Sequence, residues 1–176
     1  MRRLMSSKEN VVETALCALI SSGHLLLEDV PGVGKTTFIK ALAKMMGLQV
    51  SRIQFTADLL PSDITGVEVY DNNKGEFVFH KGPVFANIVL ADELNRASPR
   101  TQSALLEAMG EGSVTIDRKT RPLPEPFIVI ASQNPAESVG TYEIPESQLD
   151  RFAARIKLGY PSLDRETQIF QEAVAL

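Results

Sequence analysis

Apolar residues recur along this chain in two rhythms, and their alternation sets the expectation for the fold. Val11, Val12, Leu16, Leu19 and Ile20 fall at helical spacing, which predicts a helix over residues 8 to 21. "HLLLE", 24 to 28, is a short continuous apolar run and reads as a buried strand. Residues 35 to 46 return to helical spacing, with Phe38, Ile39, Leu42 and Met46 on one face and Gly47 as the stop. "QVSRIQF", ending near Phe55, "NIVLAD", 87 to 92, and "FIVIASQN", 127 to 134, predict three further strands. "RIKLGY" predicts a fifth. Between them lie a helix over 98 to 110, with Ser98 as N-cap and Pro99 at the first helical position, and a short helix over 145 to 154. Residues 162 to 175 begin another helix. Apolar strands alternating with helices imply an α/β fold whose parallel sheet is covered on both faces.

Two stretches break the alternation. "ADLLPSDITG" predicts a short helix and turn, and "VEVYDNNKGEFVFH" then alternates around an Asn/Gly turn, a hairpin signal. A second hairpin is expected from "SVTID", a turn at "RKT", and "RPLP". With no linker, repeat or low-complexity segment, residues 1–176 are expected to form one domain.

The composition, 44% hydrophobic and 23% charged, is that of an ordinary soluble protein and speaks against disorder. A net charge of -4 disfavours a non-specific grip on nucleic acid. The single cysteine, Cys17, cannot form an internal disulfide; its place in a helical pattern makes a buried thiol the expectation. "SSKEN" follows Arg2 and Arg3 where a signal peptide would turn apolar, and nothing approaches a membrane span. A cytoplasmic protein is the default expectation.

"LLLEDVPGVGKTT", 25 to 37, nearly matches the phosphate-binding loop G-x-x-x-x-G-K-[ST], with Asp29 at the place of the first glycine. The loop needs a strand, a tight turn and a helix whose N-terminus faces the phosphates, and all three are expected here in that order. Backbone N–H groups from Gly32, Val33, Gly34, Lys35 and Thr36 remain as donors, and Thr37 follows them. Lys35 would reach the outer phosphates, and the Thr36 hydroxyl would bind magnesium. Asp29 stands at the strand-to-loop junction and displaces none of these donors. The fold expectation sharpens to a P-loop NTPase: a three-layer sandwich with a five-stranded parallel sheet, helices on both faces and two inserted β-hairpins.

"NIVLADE" places Asp92 and Glu93 at the tip of an apolar strand, where open α/β sheets bind ligands. Asp92 would hold the magnesium and Glu93 would activate the attacking water; the plainer reading is an exposed acidic turn. Asn134 in "SQNP" fits either a turn asparagine or a group bonding the attacking water.

At this point the residues resemble a known family. "GHLLLEDVPGVGKT", "ADELNRASPRTQSALLEAM", "VIASQNP" and "PESQLDRF" together resemble the MoxR group of AAA+ ATPases over roughly residues 8 to 170. The resemblance implies binding and hydrolysis of ATP with Mg2+ at the subunit boundaries of a homo-oligomeric ring, usually a hexamer. It implies a role in remodelling a protein partner, often one with a von Willebrand factor A domain. Within "QLDRF" it makes Arg151 the arginine finger that reaches a neighbour's γ-phosphate, whereas the residues alone suggest a helix-surface arginine paired with Asp150. It assigns Gln54 to restraining Glu93, and leaves Arg96 and Arg100 as residues that could face a neighbour. Segments 56–85 and 112–126 become the helix-2 insert and the hairpin before the sensor strand. The family's C-terminal helical lid is expected to be missing from residues 1–176, and with it strong ATPase activity. Two rival readings stand beside this one. A nucleic-acid motor would use the basic "RKTRP", 118 to 122, and a nucleotide-gated scaffold would bind ATP with little turnover.

Overall fold

A computed structural model describes residues 8–28, 43, 46–134 and 139–157. In chain order the elements are α1 (Lys8–Ile20), β1 (His24–Glu28), β2 (Val50–Gln54), α2 (Pro61–Thr65), β3 (Gly66–Asp71), β4 (Glu76–Lys81) and β5 (Ile88–Asp92). A 3-10 turn (Leu94–Arg96) leads to α3 (Pro99–Glu111), β6 (Ser113–Ile116), β7 (Lys119–Pro122), β8 (Ile128–Gln133), α4 (Glu146–Leu149) and β9 (Phe152–Ile156). The main sheet has the order β2-β5-β8-β1-β9, and every neighbouring pair is parallel. The C-terminal ends of all five strands therefore share one edge.

The apolar runs are continuous because both sheet faces are covered, and successive side chains serve opposite faces. Leu25, Leu27, Leu90 and Ile130 pack with Ala15 and Ala18 of α1 and with Ala43. Leu26, Val89, Ala91, Val129 and Ala131 pack with Leu105, Leu106 and Met109 of α3. A fully buried leucine such as Leu26 or Leu105 contributes about 1.5–3 kcal/mol. Helix α3 starts as expected: Ser98 accepts the Thr101 amide at 3.3 Å and Pro99 fills the first position. It ends at Gly112, whose φ of 60° lets its N–H reach Ala108 O at 3.0 Å.

Both hairpins form. Gly66 opens the first at φ 94°, and a Cβ there would stand 2.2 Å from His80 O; only glycine fits this crossing of the hairpin's own base. The second hairpin turns on two residues, Asp117 and Arg118, at φ 47° and 65°, not on "RKT". Two left-handed residues match the twist of the strands, but without glycine they carry a weak sequence signal.

Three other expectations change. The fifth strand is Phe152–Ile156 and not "RIKLGY", and the helix before it covers only Glu146–Leu149. Ala153 and Ala154 favour helix locally, but pairing with β1 from Phe152 onward overrides that preference. Cys17 is exposed, because Ala15 and Ala18 take the sheet-facing side of α1. The phosphate loop, most of the helix over 35 to 46, and the helix over 162 to 175 lie outside the described residues.

Candidate functional site

The shared edge gathers Glu28, Gln54, Asp92 and Gln133. Gln54 is level with Asp92, and Glu28 with Gln133. Glu28, the residue before the phosphate-loop stretch in sequence, is the last of β1. Ala43 packs on the same sheet face as Leu90, two residues before Asp92. The acidic tip and the exit of β1 thus lie at one end of the sheet, separated laterally by β8 alone.

Asp92 is fixed through both carboxylate oxygens. Ser132 Oγ donates to Oδ1 at 2.6 Å, and Arg52 Nη2 donates to Oδ2 at 2.8 Å. The same Ser132 Oγ accepts the Glu93 amide at 3.0 Å. One buried hydroxyl therefore aligns both acidic residues. Glu93 sits in the left-handed region, at φ 56° and ψ 47°. This is an uncommon conformation for a residue with a Cβ, and it turns the chain sharply out of β5. Arg96 Nη1 donates to Glu93 Oε2 at 3.2 Å. Behind the turn, the buried Gln102 side-chain amide shares its protons among the carbonyls of Leu94, Ala97 and Tyr142, at 3.1 to 3.2 Å. That amide ties the turn after Glu93 to α3 and to the loop before α4.

Beside the exit of β1, Glu28 is buried and accepts from Gln133 Nε2 at 2.9 Å, and Arg155 Nη1 stands 3.2 Å from the same oxygen. Asn134 is half-buried immediately after β8 and so lies at the same edge. Gln54 behaves otherwise than expected: its Oε1 accepts from Arg52 at 2.9 Å, while Glu93 is bonded to Arg96.

Arg151 is elsewhere. It precedes β9, whose first residue is level with His24 at the start of β1, so it stands at the opposite edge of the sheet. Four strand steps from His24 to Glu28 put roughly 13 Å between the two edges. Its Nη1 donates to Leu106 O at 2.9 Å. Gly110 makes room for it, since a Cβ there would lie 1.9 Å from Nη1. The structure thus unites Asp92, Glu93 and Asn134 and holds Arg151 apart from them. Lys35 and the other loop residues, Gly32, Val33, Gly34, Thr36 and Thr37, fall outside the described residues.

The sequence and the fold are both matched by known proteins. The family model "ATPase family associated with various cellular activities (AAA)" matches residues 24–154. The chain belongs to the AAA family of ATPases. Within that family its relatives include proteins named MoxR. Chaperone MoxR1 of Mycobacterium tuberculosis is 49% identical over 96% of this chain and 45% of its own length. Uncharacterized protein YeaC of Bacillus subtilis is 56% identical over 95% of this chain and 52% of its own length. The crystal structure of a candidate ATPase from Cytophaga hutchinsonii superposes with a TM-score of 0.85 at 47% identity, covering 95% of this chain and 51% of that one. The chain therefore spans about half the length of the relatives it matches.

AAA ATPases use a nucleotide with magnesium, and the described residues fit the metal. Among them no group of three or more His, Cys, Asp or Glu side chains could form a protein cage for an ion. One or two carboxylates, such as Asp92 at this edge, are what magnesium takes when phosphates supply its other oxygens. The Oδ2 of Asp92 is held by a guanidinium whose side chain is 51% exposed, a partner that can leave. Sequence reasoning did not single out Ser132 or Arg52. Ser132 carried a signal as the polar break in an otherwise apolar strand. Arg52 shares a face with Gln54 on a neighbouring strand, which becomes visible only once the register is known.

Proposed function

We propose that this chain is the nucleotide-hydrolysing core of a ring-forming, chaperone-like AAA+ ATPase that remodels a protein partner. The observation that carries this reading is the common edge of β1 and β5, with Asp92 and Glu93 pinned through Ser132 at the end of the sheet where β1 finishes at Glu28. Backbone amides of residues 32–36 and the Lys35 ammonium hold the triphosphate of ATP. Thr36 and Asp92 would hold magnesium, which when bound neutralises charge on the phosphates. Glu93 takes the proton of the attacking water, and Asn134 orients that water. In such hydrolases the rate comes chiefly from positioning and electrostatics.

Arg151, at the far edge of its own sheet, cannot serve the site of its own chain; in a ring that edge would face a neighbour's nucleotide. Such a finger contributes about 10³–10⁵ to the rate in related hydrolases. This supports assembly as a homo-oligomer, with a hexamer the form that the resemblance implies. The two hairpins supply the surface for a protein partner, for which a von Willebrand factor A domain is the favoured class. The basic cluster that suited a nucleic-acid motor is largely committed within the chain. Arg121 pairs with Glu68, Lys119 stands 3.4 Å from the same carboxylate, and the Arg121 guanidinium stacks 4.0 Å above Phe79. None of the described helices is long and apolar enough to cross a membrane, and the cytoplasm is the proposed compartment.

Glu93→Gln separates hydrolysis from binding. ATP affinity should persist while phosphate release stops, and normal turnover by this variant would overturn the assignment of Glu93. Retained turnover in wild type also separates this reading from a scaffold that only binds.

A further inference from the structure

Arg52 lies on β2, an edge strand of the sheet, and its side chain is half exposed. Its Nη2 is shared between two acceptors, Asp92 Oδ2 at 2.8 Å and Gln54 Oε1 at 2.9 Å. Ser132 Oγ takes the other Asp92 oxygen at 2.6 Å. Both oxygens of the metal-binding carboxylate are thus engaged in the chain itself, one by a neutral hydroxyl and one by a full positive charge. These partners differ in what they do to an arriving cation. The hydroxyl can keep its hydrogen bond while the carboxylate binds metal. The guanidinium occupies a lone pair that a metal ion would use, and its charge repels the ion at short range. Solvent exposure gives the arginine somewhere to go, and Gln54 gives it a second acceptor beside its first.

We propose that Arg52 is the resident counter-ion of Asp92, which magnesium must displace, so that Arg52 raises the magnesium concentration the chain needs to bind nucleotide tightly. This rests on the reading of Asp92 as the metal carboxylate. Arg52 is a positioning residue here: it holds the carboxylate in place before loading and yields it to the ion.

The test is a magnesium titration of binding, read by the fluorescence of a labelled ATP analogue, on the wild-type chain and on Arg52→Gln, Arg52→Lys and Asp92→Asn. Arg52→Gln should reach half-maximal enhancement at about three- to tenfold less magnesium, each midpoint being read relative to the same variant's binding in EDTA. Arg52→Lys keeps the charge and should stay near the wild-type midpoint. A midpoint in Arg52→Gln at or above the wild-type value overturns the proposal, as does an equal shift in Arg52→Lys. If Asp92→Asn raises the midpoint while Arg52→Gln leaves it unmoved, the counter-ion role alone fails. If neither variant moves it, the metal reading of Asp92 fails as well.

Discussion

Replacing Ser132 with alanine removes one oxygen atom and disturbs both acidic residues together. Ser132 is fully buried, and its Cβ remains in the variant, so little packing is lost. What disappears is the 2.6 Å hydrogen bond to Asp92 Oδ1 and the acceptor for the Glu93 amide at 3.0 Å. A hydrogen bond to a charged group is worth about 1.5–3 kcal/mol, and a neutral one about 1 kcal/mol. Asp92 keeps Arg52, and with its side chain 16% exposed it regains some hydration. The net loss should be about 2–3 kcal/mol. Urea unfolding of Ser132→Ala against wild type measures it, as a lower midpoint with an unchanged slope. The left-handed Glu93 would lose its anchor, so ATP turnover should fall further than ATP affinity. A stability loss below about 0.5 kcal/mol, with normal turnover, would refute the idea that this hydroxyl organises the site.

Two further outcomes follow from the opposite edge of the sheet. His24 accepts the Val129 amide at Nδ1 (3.0 Å) and donates from Nε2 to Met109 O (3.1 Å), which fixes the neutral ring. Burial lowers its pKa below 6.5; the Met109 carbonyl opposes this, and the charge of Arg151 reinforces it. Below that value the unfolded chain takes up a proton that the folded chain refuses. Stability should therefore drop from pH 6.5 down to the lowered folded pKa, by up to about 1.4 kcal/mol per pH unit, and unfolding curves of His24→Asn should lack this component. Gly110→Ala should expel Arg151 from Leu106 O, trading about 0.8–1 kcal/mol of helix propensity against one charged hydrogen bond. Faster hydrogen exchange of the Arg151 side chain by NMR checks it, and unchanged exchange would contradict the seat drawn for this arginine.

The strands that carry the site were legible because burial on both faces writes them as unbroken apolar runs; "HLLLE", "NIVLAD" and "FIVIASQN" needed no context. Asp92 and Glu93 were legible for a related reason, as charges closing such a run. The start of β9 was not, because Ala153 and Ala154 prefer helix until β1 pairs with them. The partners of the acidic pair were hidden as well. Ser132 and Arg52 reach Asp92 from residues 40 positions away in either direction, and only strand order brings them within bonding distance. Arg151 shows the same limit from the other side. Its neighbours in sequence suggested a bond to Asp150, whereas its side chain lies against α3.

The central claim is that the loop after β1 and the tip of β5 share one magnesium-bound triphosphate. Equilibrium binding of ATP, with and without magnesium, to the wild-type chain, Lys35→Ala and Asp92→Asn tests it most directly. Lys35→Ala should abolish binding in both conditions, while Asp92→Asn should still bind without metal and lose the gain that magnesium brings. Undiminished magnesium enhancement in Asp92→Asn, or undiminished binding in Lys35→Ala, would contradict a shared site.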